Sequence, residues 1–221
     1  LGGGPNGAAI GPDGAVYVCN NGGFQWLVGA DGSLAPHGTA LDYKTGSIQR
    51  VELKSGAVTT LYEQCDGIRL RGPNDIVFDR SGGFWFSDLG KGNGDVMHMG
   101  HVLYARPDGS KITRARDAMI SPNGVGLSPD EKTLYVAETH TSRVWAFAIA
   151  SPGVLAPPTG LFSAGSVLGP LPGYQLLDSL AVEARGKVCV ATLVTGGITV
   201  FDPDGGTEHF AVPDPLTTNL C

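Results

Sequence analysis

The sequence predicts an all-β protein built as a β-propeller. Two observations carry that prediction: a repeated supersecondary unit, and a composition of short apolar runs between glycine-rich turns. The unit opens at Asn6 (NGAAIGPDGAVYVCN), Asn74 (NDIVFDRSGGFWFSD), Asn123 (NGVGLSPDEKTLYVAE) and Asp178 (DSLAVEARGKVCVAT). Each copy runs from an amide or carboxylate through an apolar strand and a Gly- or Asp-containing turn into a second strand. The opening residue lies 11, 11, 12 and 11 positions before the middle of the second strand, at Tyr17, Trp85, Tyr135 and Cys189. The copies start 68, 49 and 55 residues apart, and a unit recurring at about 50 residues marks a propeller.

The chain has 221 residues, enough to bury a sizeable core in one repeat array. Charged residues are 16% and glycines number 34, which favours tight turns over helices. The net charge is −6 with no basic cluster, which argues against a nucleic-acid partner. No run of 18 apolar residues implies a membrane span. Cys19, Cys65, Cys189 and Cys221 show no CxxC or metal-finger spacing, so they read as buried free thiols. The start, LGGGPNG, has no initiator Met and no signal-peptide layout. Targeting stays open, with the cytoplasm as first choice, and oligomeric state has no signal.

Taken in order, residues 1–221 read as a single, incomplete propeller domain. Residues 1–67 form the first unit, with inner strands Ala8–Ile10 and Ala15–Cys19, a long loop Asn20–Gly46, and an outer pair Ser47–Leu53 and Ala57–Glu63. Residues 68–117 form the second, with Ile76–Phe78, Phe84–Ser87, His101–Arg106 and Lys111–Arg116. Residues 118–172 form the third, whose fourth strand begins in the Pro-rich segment Ser151–Gly160. Residues 173–213 form the fourth, with Ile198–Phe201 and Glu208–Val212 as its outer pair, and 214–221 read as the start of a further inner strand.

In a propeller the innermost strand borders the central channel, and its first residue shares a face with the loop between the second and third strands. Asn6, Asn74, Asn123 and Asp178 should therefore ring one mouth, covered by Asn20–Gly46, Asp88–Gly100, Glu138–Ser142 and Leu193–Gly197. Amide and carboxylate oxygens converging on an axis are hard ligands suited to Ca²⁺, Mg²⁺ or Mn²⁺, and less typically Zn²⁺. One carboxylate balances half of a divalent charge, so a further acid is expected. A single Asn-Gly is ordinarily a turn former; three Asn and one Asp in register point to a site. His37, His140 and His209 read as isolated. His98 and His101 do not form a ligand pair, although His98 can reach a substrate from its loop. Glu138 reads equally as a solvated turn acid or a site residue. Ser121 and Ser179 lack a GxSxG context.

The segments GPNGAAIGPDGAVYVCNNGGF, LRGPNDIVFDRSGGFWFSDLG, SPNGVGLSPDEKTLYVAET and LDSLAVEARGKVCVATLVTGGITVFDPDG resemble successive blades of the senescence-marker-protein/gluconolactonase/luciferin-regenerating-enzyme (regucalcin-like) family. The resemblance covers nearly the whole chain. It implies a six-bladed propeller, of which about four blades lie here, with one divalent metal ion in the channel, Ca²⁺ first and Zn²⁺, Mn²⁺ or Mg²⁺ as alternatives. It implies that Asn123 and Asp178 are metal ligands and that Asn74 lies near metal and substrate. Asp178 would also be the general base, although LDS stands where the family has PDG. Arg71, three residues before Asn74, would bind substrate. The family's Glu, in an EGP-type motif, would lie upstream of Leu1, and TTNLC resembles the opening of another blade, so the chain reads as an internal fragment. The implied activity is metal-dependent opening of a sugar lactone. The alternatives are organophosphate hydrolysis at the same site, or a non-catalytic calcium-binding propeller.

Overall fold

The computed structural model describes residues 2–160, 165–214 and 216–220. Strands β1 (Pro5–Ile10) and β2 (Val16–Asn20) lead to a hairpin of β3 (Phe24–Val28) and β4 (Leu34–Thr39). Strands β5 (Ser47–Val51) and β6 (Val58–Tyr62) follow, then a short hairpin of β7 (Gln64–Cys65) and β8 (Ile68–Arg69). The second group is β9 (Pro73–Phe78), β10 (Phe84–Asp88), the hairpin β11 (Gly92–Asn93) and β12 (Val96–Met97), β13 (Gly100–Ala105) and β14 (Ile112–Met119). The third is β15 (Pro122–Leu127), β16 (Thr133–Glu138), β17 (Arg143–Ser151), β18 (Val154–Leu155) and β19 (Ser166–Pro170). The fourth is β20 (Leu176–Val182), β21 (Val188–Leu193), β22 (Ile198–Phe201) and β23 (Thr207–Phe210). No helix occurs among the described residues.

These strands form four antiparallel meanders: β1-β2-β5-β6, β9-β10-β13-β14, β15-β16-β17-β19 with β18 also on β17, and β20-β21-β22-β23. The turn joining each inner pair has one left-handed residue. Gly14, Gly82 and Gly186 take it at φ 77°, 80° and 91°, and in the SPDEK copy Glu131 takes it at φ 57°. Glycine occupies such a position without steric cost; Glu131 does so while its carboxylate accepts the Arg80 backbone N–H.

The sheets stack face to face because side chains alternate along each strand. Phe84 and Phe86 of β10 pack with Tyr17 and Ile48 of the first sheet. Trp85, between them, packs with Leu134 and Val136 of the third. Tyr135 and Ala137 then face Leu180, Val190 and Phe201 of the fourth. Each middle sheet is thus buried on both faces, and the cores fall between sheets.

Three expectations need correction. Asn20–Gly46 holds the β3–β4 hairpin and Asp88–Gly100 holds β11–β12, so both are paired arms rather than open loops. In the third sheet the Pro-rich segment does supply a strand on β17, but only the two-residue β18; Pro157 and Pro158 lack the N–H a ladder needs, and the longer pairing with β17 is made by β19 at Ser166–Pro170. Residues 217–220 form no strand, although the Thr218 carbonyl accepts the Ser179 N–H at 3.3 Å. Cys221 lies outside the described residues.

Candidate functional site

Each of the four opening residues sits in a β-bulge. Two residues face one across the ladder in every copy: Asn6-Gly7 opposite Cys19, Asn74-Asp75 opposite Ser87, Asn123-Gly124 opposite Ala137, and Asp178-Ser179 opposite Ala191. A bulge bends its strand and re-aims the side chain of the extra residue. Four bulges at one level therefore act as a single device repeated around the axis.

The bulges are knitted together. A Cβ on Gly7 would lie 2.3 Å from the Asn74 carbonyl, and one on Gly124 would lie 2.7 Å from that of Asp178, so glycine lets neighbouring inner strands approach. From β10, the Ser87 hydroxyl donates to the Asn123 carbonyl on β15 at 2.5 Å. Asp75 Oδ2 accepts from the Val125 N–H at 3.1 Å and from the Ser179 hydroxyl at 3.0 Å. One half-buried carboxylate thereby ties three inner strands. Burial pushes its pKa up, against those hydrogen bonds. Below it, Ala8, Val125, Leu180 and Leu220 help line an axial cavity of about 360 Å³.

Asn123 is buried, and its Nδ2 donates to Thr139 Oγ1 at 3.1 Å. Its Oδ1 is buried with no hydrogen-bond partner among the described residues. A buried amide oxygen left unpaired is costly unless a ligand meets it. Beside it stands Asp178, whose pKa is pushed up to about 6, first by desolvation and then by the charge of Asp75, with the Asn123 amide pulling the other way. Asn74 is 9% exposed, and its amide makes no side-chain hydrogen bond among the described residues. An orphaned amide oxygen, a destabilised carboxylate and a second amide are the hard donors that a divalent cation satisfies. Among the described residues no three His, Cys, Asp or Glu side chains gather for a metal, so any such site here is amide-rich.

The remaining predicted residues make only local contacts among the described residues. Arg71 has its backbone fixed, its N–H donating to Asp88 Oδ2 at 2.7 Å and its carbonyl accepting the Tyr43 hydroxyl at 2.8 Å. Its guanidinium makes no hydrogen bond or ion pair among the described residues. His98 is exposed, with Nδ1 against the Lys91 carbonyl at 2.8 Å. Asn6 is exposed. Lys91 is buried, donates to the Gly23 carbonyl at 2.8 Å and lies 3.4 Å over the Phe24 ring. Burial brings its pKa down to about 8, and it fastens the β3–β4 arm to the neighbouring sheet.

Residues 2–221 match the SMP-30/Gluconolactonase/LRE-like region along their length. The chain belongs to the SMP-30/Gluconolactonase/LRE-like family. It is 27% identical to a gluconolactonase of Zymomonas mobilis, over 91% of this chain and 52% of that protein. It is 34% identical to lactonase drp35 of Staphylococcus saprophyticus, over 60% of this chain and 39% of that protein. Its structure resembles that of XC5397 from Xanthomonas campestris, described as a gluconolactonase, with TM-score 0.69 and 28% identity over 96% of this chain and 63% of the other. The chain spans about half the length of the Zymomonas relative. These likenesses establish an all-β protein with the propeller fold of the family.

Asp75, which the sequence did not single out, is a structural acid: its carboxylate is spent on the Val125 N–H and the Ser179 hydroxyl. Its signal was the acidic second half of the Asn-Asp pair, where two other copies have glycine. Glu138 proves to be neither solvated nor free. It is buried, with Oε1 accepting the Ile120 N–H and Oε2 the Thr141 hydroxyl.

Proposed function

We propose that this protein, in its full form, hydrolyses a lactone, with a sugar lactone such as gluconolactone as the first substrate to try. The observation that carries the reading is the pairing of Asn123 Oδ1, orphaned and buried, with an Asp178 carboxylate pushed up to about 6. The names of the gluconolactonase and lactonase relatives support the same reaction class.

In this reading Asn123, Asp178 and Asn74 hold one divalent cation, with Ca²⁺ as first choice. When bound, that ion supplies Lewis-acid polarisation of the lactone carbonyl. In this reading Asp178 takes a proton from the attacking water as general base. The water oxygen bonds to the carbonyl carbon, the ring C–O bond breaks, and the ring oxygen leaves as a hydroxyl carrying a proton. The product is a hydroxy acid. Arg71 and His98 orient the substrate from the rim. We further propose a six-bladed ring, supported by the open faces of the first and fourth sheets, where Ile10 and Phe210 are 69% and 51% exposed.

The test is acid release from gluconolactone by the full-length protein in an indicator assay, with and without chelator. Release abolished by chelator and restored by Ca²⁺ is the expected result. Turnover of fluorophosphates alone would assign the site to phosphotriester chemistry, and no turnover of either class would mark a binding propeller.

A further inference from the structure

The turn after β16 carries a side chain that the proposed reaction has not used. His140 is exposed, but its Nδ1 lies 2.7 Å from Ser121 Oγ, and Ser121 is only 2% exposed. Ser121 is also left-handed, at φ 51°, a conformation that costs a non-glycine residue energy and persists where surrounding contacts enforce it. Those contacts belong to the candidate site. The Ser121 carbonyl accepts the Thr139 N–H at 3.0 Å, and Thr139 Oγ1 accepts the Asn123 amide at 3.1 Å. Glu138 holds Ile120 on one side and Thr141 on the other. The imidazole therefore stands on a turn locked from several directions, next in sequence to the residue that steadies Asn123.

Hydrogen bonding selects its tautomer. The Ser121 hydroxyl has no other acceptor among the described residues, so it donates to Nδ1. That leaves the imidazole neutral with its proton on Nε2. Although the residue is exposed overall, partial burial of its ring lowers its pKa. With Nδ1 turned inward to a buried serine, Nε2–H lies on the outer side of the ring, and no group among the described residues accepts it.

We propose that His140 is a substrate-positioning residue whose fixed Nε2–H donates to a hydroxyl of a polyhydroxylated lactone held at the Asn123–Asp178 mouth. The inference rests on the lactonase reading and adds a determinant of substrate class: the site prefers lactones that carry ring hydroxyls. A preorganised donor loses little freedom on binding, which is why the lock on the turn matters.

The experiment compares glucono-δ-lactone with δ-valerolactone, which has no hydroxyls, on the full-length protein with Ca²⁺. His140→Phe should raise KM for gluconolactone about tenfold and leave KM for valerolactone within about twofold. His140→Gln, which keeps a side-chain N–H, should recover part of the loss. Ser121→Ala should weaken gluconolactone binding less, while shifting the imidazole nitrogen signals away from the Nε2–H tautomer in ¹⁵N NMR. Equal effects on both lactones, or none on either, overturn the proposal. If the wild-type protein opens neither lactone, the lactonase reading fails by itself, and His140 is then judged by calorimetric binding of gluconate. Binding lost in His140→Phe sustains the positioning role; equal binding in both proteins, or none in wild type, rejects it.

Discussion

Asp178 and Asp75 are two carboxylates a few residues from the same axis, with opposite duties. Asp75 spends its oxygens on protein donors, Val125 N–H and the Ser179 hydroxyl among them. Asp178 is the proposed base, and desolvation more than any partner pushes its pKa up to about 6. Replacing Asp178 with Asn should cut turnover by roughly 10²–10⁴-fold, the range of general-base catalysis, and leave the circular dichroism spectrum unchanged; a loss below about tenfold would sink the assignment. Replacing Asp75 with Asn should instead lower stability by about 1–3 kcal/mol, because one amide cannot accept from every donor that the carboxylate serves; denaturant melts of the two variants separate the roles. A proton and a divalent cation compete for Asp178. Its folded pKa is raised above 3.8, so the metal-free fold gains stability as pH falls through about 6, while metal affinity is fully present above that value and declines below it. Calorimetric Ca²⁺ titration at several pH values checks this, and an affinity flat from pH 5 to 8 would count against Asp178 as a ligand.

At the scale of elements, the same two devices recur in different residues. The bulge holds Asn-Gly, Asn-Asp, Asn-Gly or Asp-Ser. The last residue of the second strand clamps the incoming chain: Asn20 Oδ1 accepts the Gly4 N–H, Asp88 accepts those of Arg71 and Gly72, and Glu138 accepts that of Ile120. The β3–β4 arm meets the second group of strands at a few points, among them the Thr39 hydroxyl donating to the Gly92 carbonyl at 3.4 Å. Lys91 fixes the β3–β4 hairpin through Gly23 and Phe24, while Trp26, Leu27 and Val28 on that hairpin remain exposed. Lys91→Met keeps the aliphatic stem but deletes the hydrogen bond and the cation over the ring. Amide exchange across 24–39 should then accelerate while the strands of the four sheets keep their protection. Unchanged exchange in the hairpin would mean that the latch is elsewhere.

Across the whole molecule, stability comes from three cores lying between neighbouring sheets. In such an array each unit is supported by its neighbours, and uncapped faces are costly. We therefore expect residues 1–221 expressed alone to melt less cooperatively, and to associate more, than a form extended at both termini. Scanning calorimetry and light scattering compare the two. A monomeric, sharply melting short form with full lactonase activity would show that four sheets suffice, and the six-bladed proposal would be withdrawn.

The architecture was legible in the sequence because it is written locally. Alternating apolar residues such as Phe84-Trp85-Phe86 set a strand with two buried faces, and Gly-containing turns every few residues set the meander. The openers Asn74, Asn123 and Asp178 were legible because repetition placed them in register. The pairing of the β3–β4 and β11–β12 arms was hidden, since exposed Trp26, Leu27 and Val28 give no alternation to read. The duties of Asp75, Glu138, Ser121 and His140 were hidden for a deeper reason. Each makes a bond to a partner 18 to 104 residues away, and a hydrogen bond formed between distant segments leaves no periodic mark along the chain. Only the tertiary fold brings Val125 and Ser179 to Asp75, leaves Asn123 Oδ1 without a partner among the described residues, and sets an isolated-looking histidine against a buried serine.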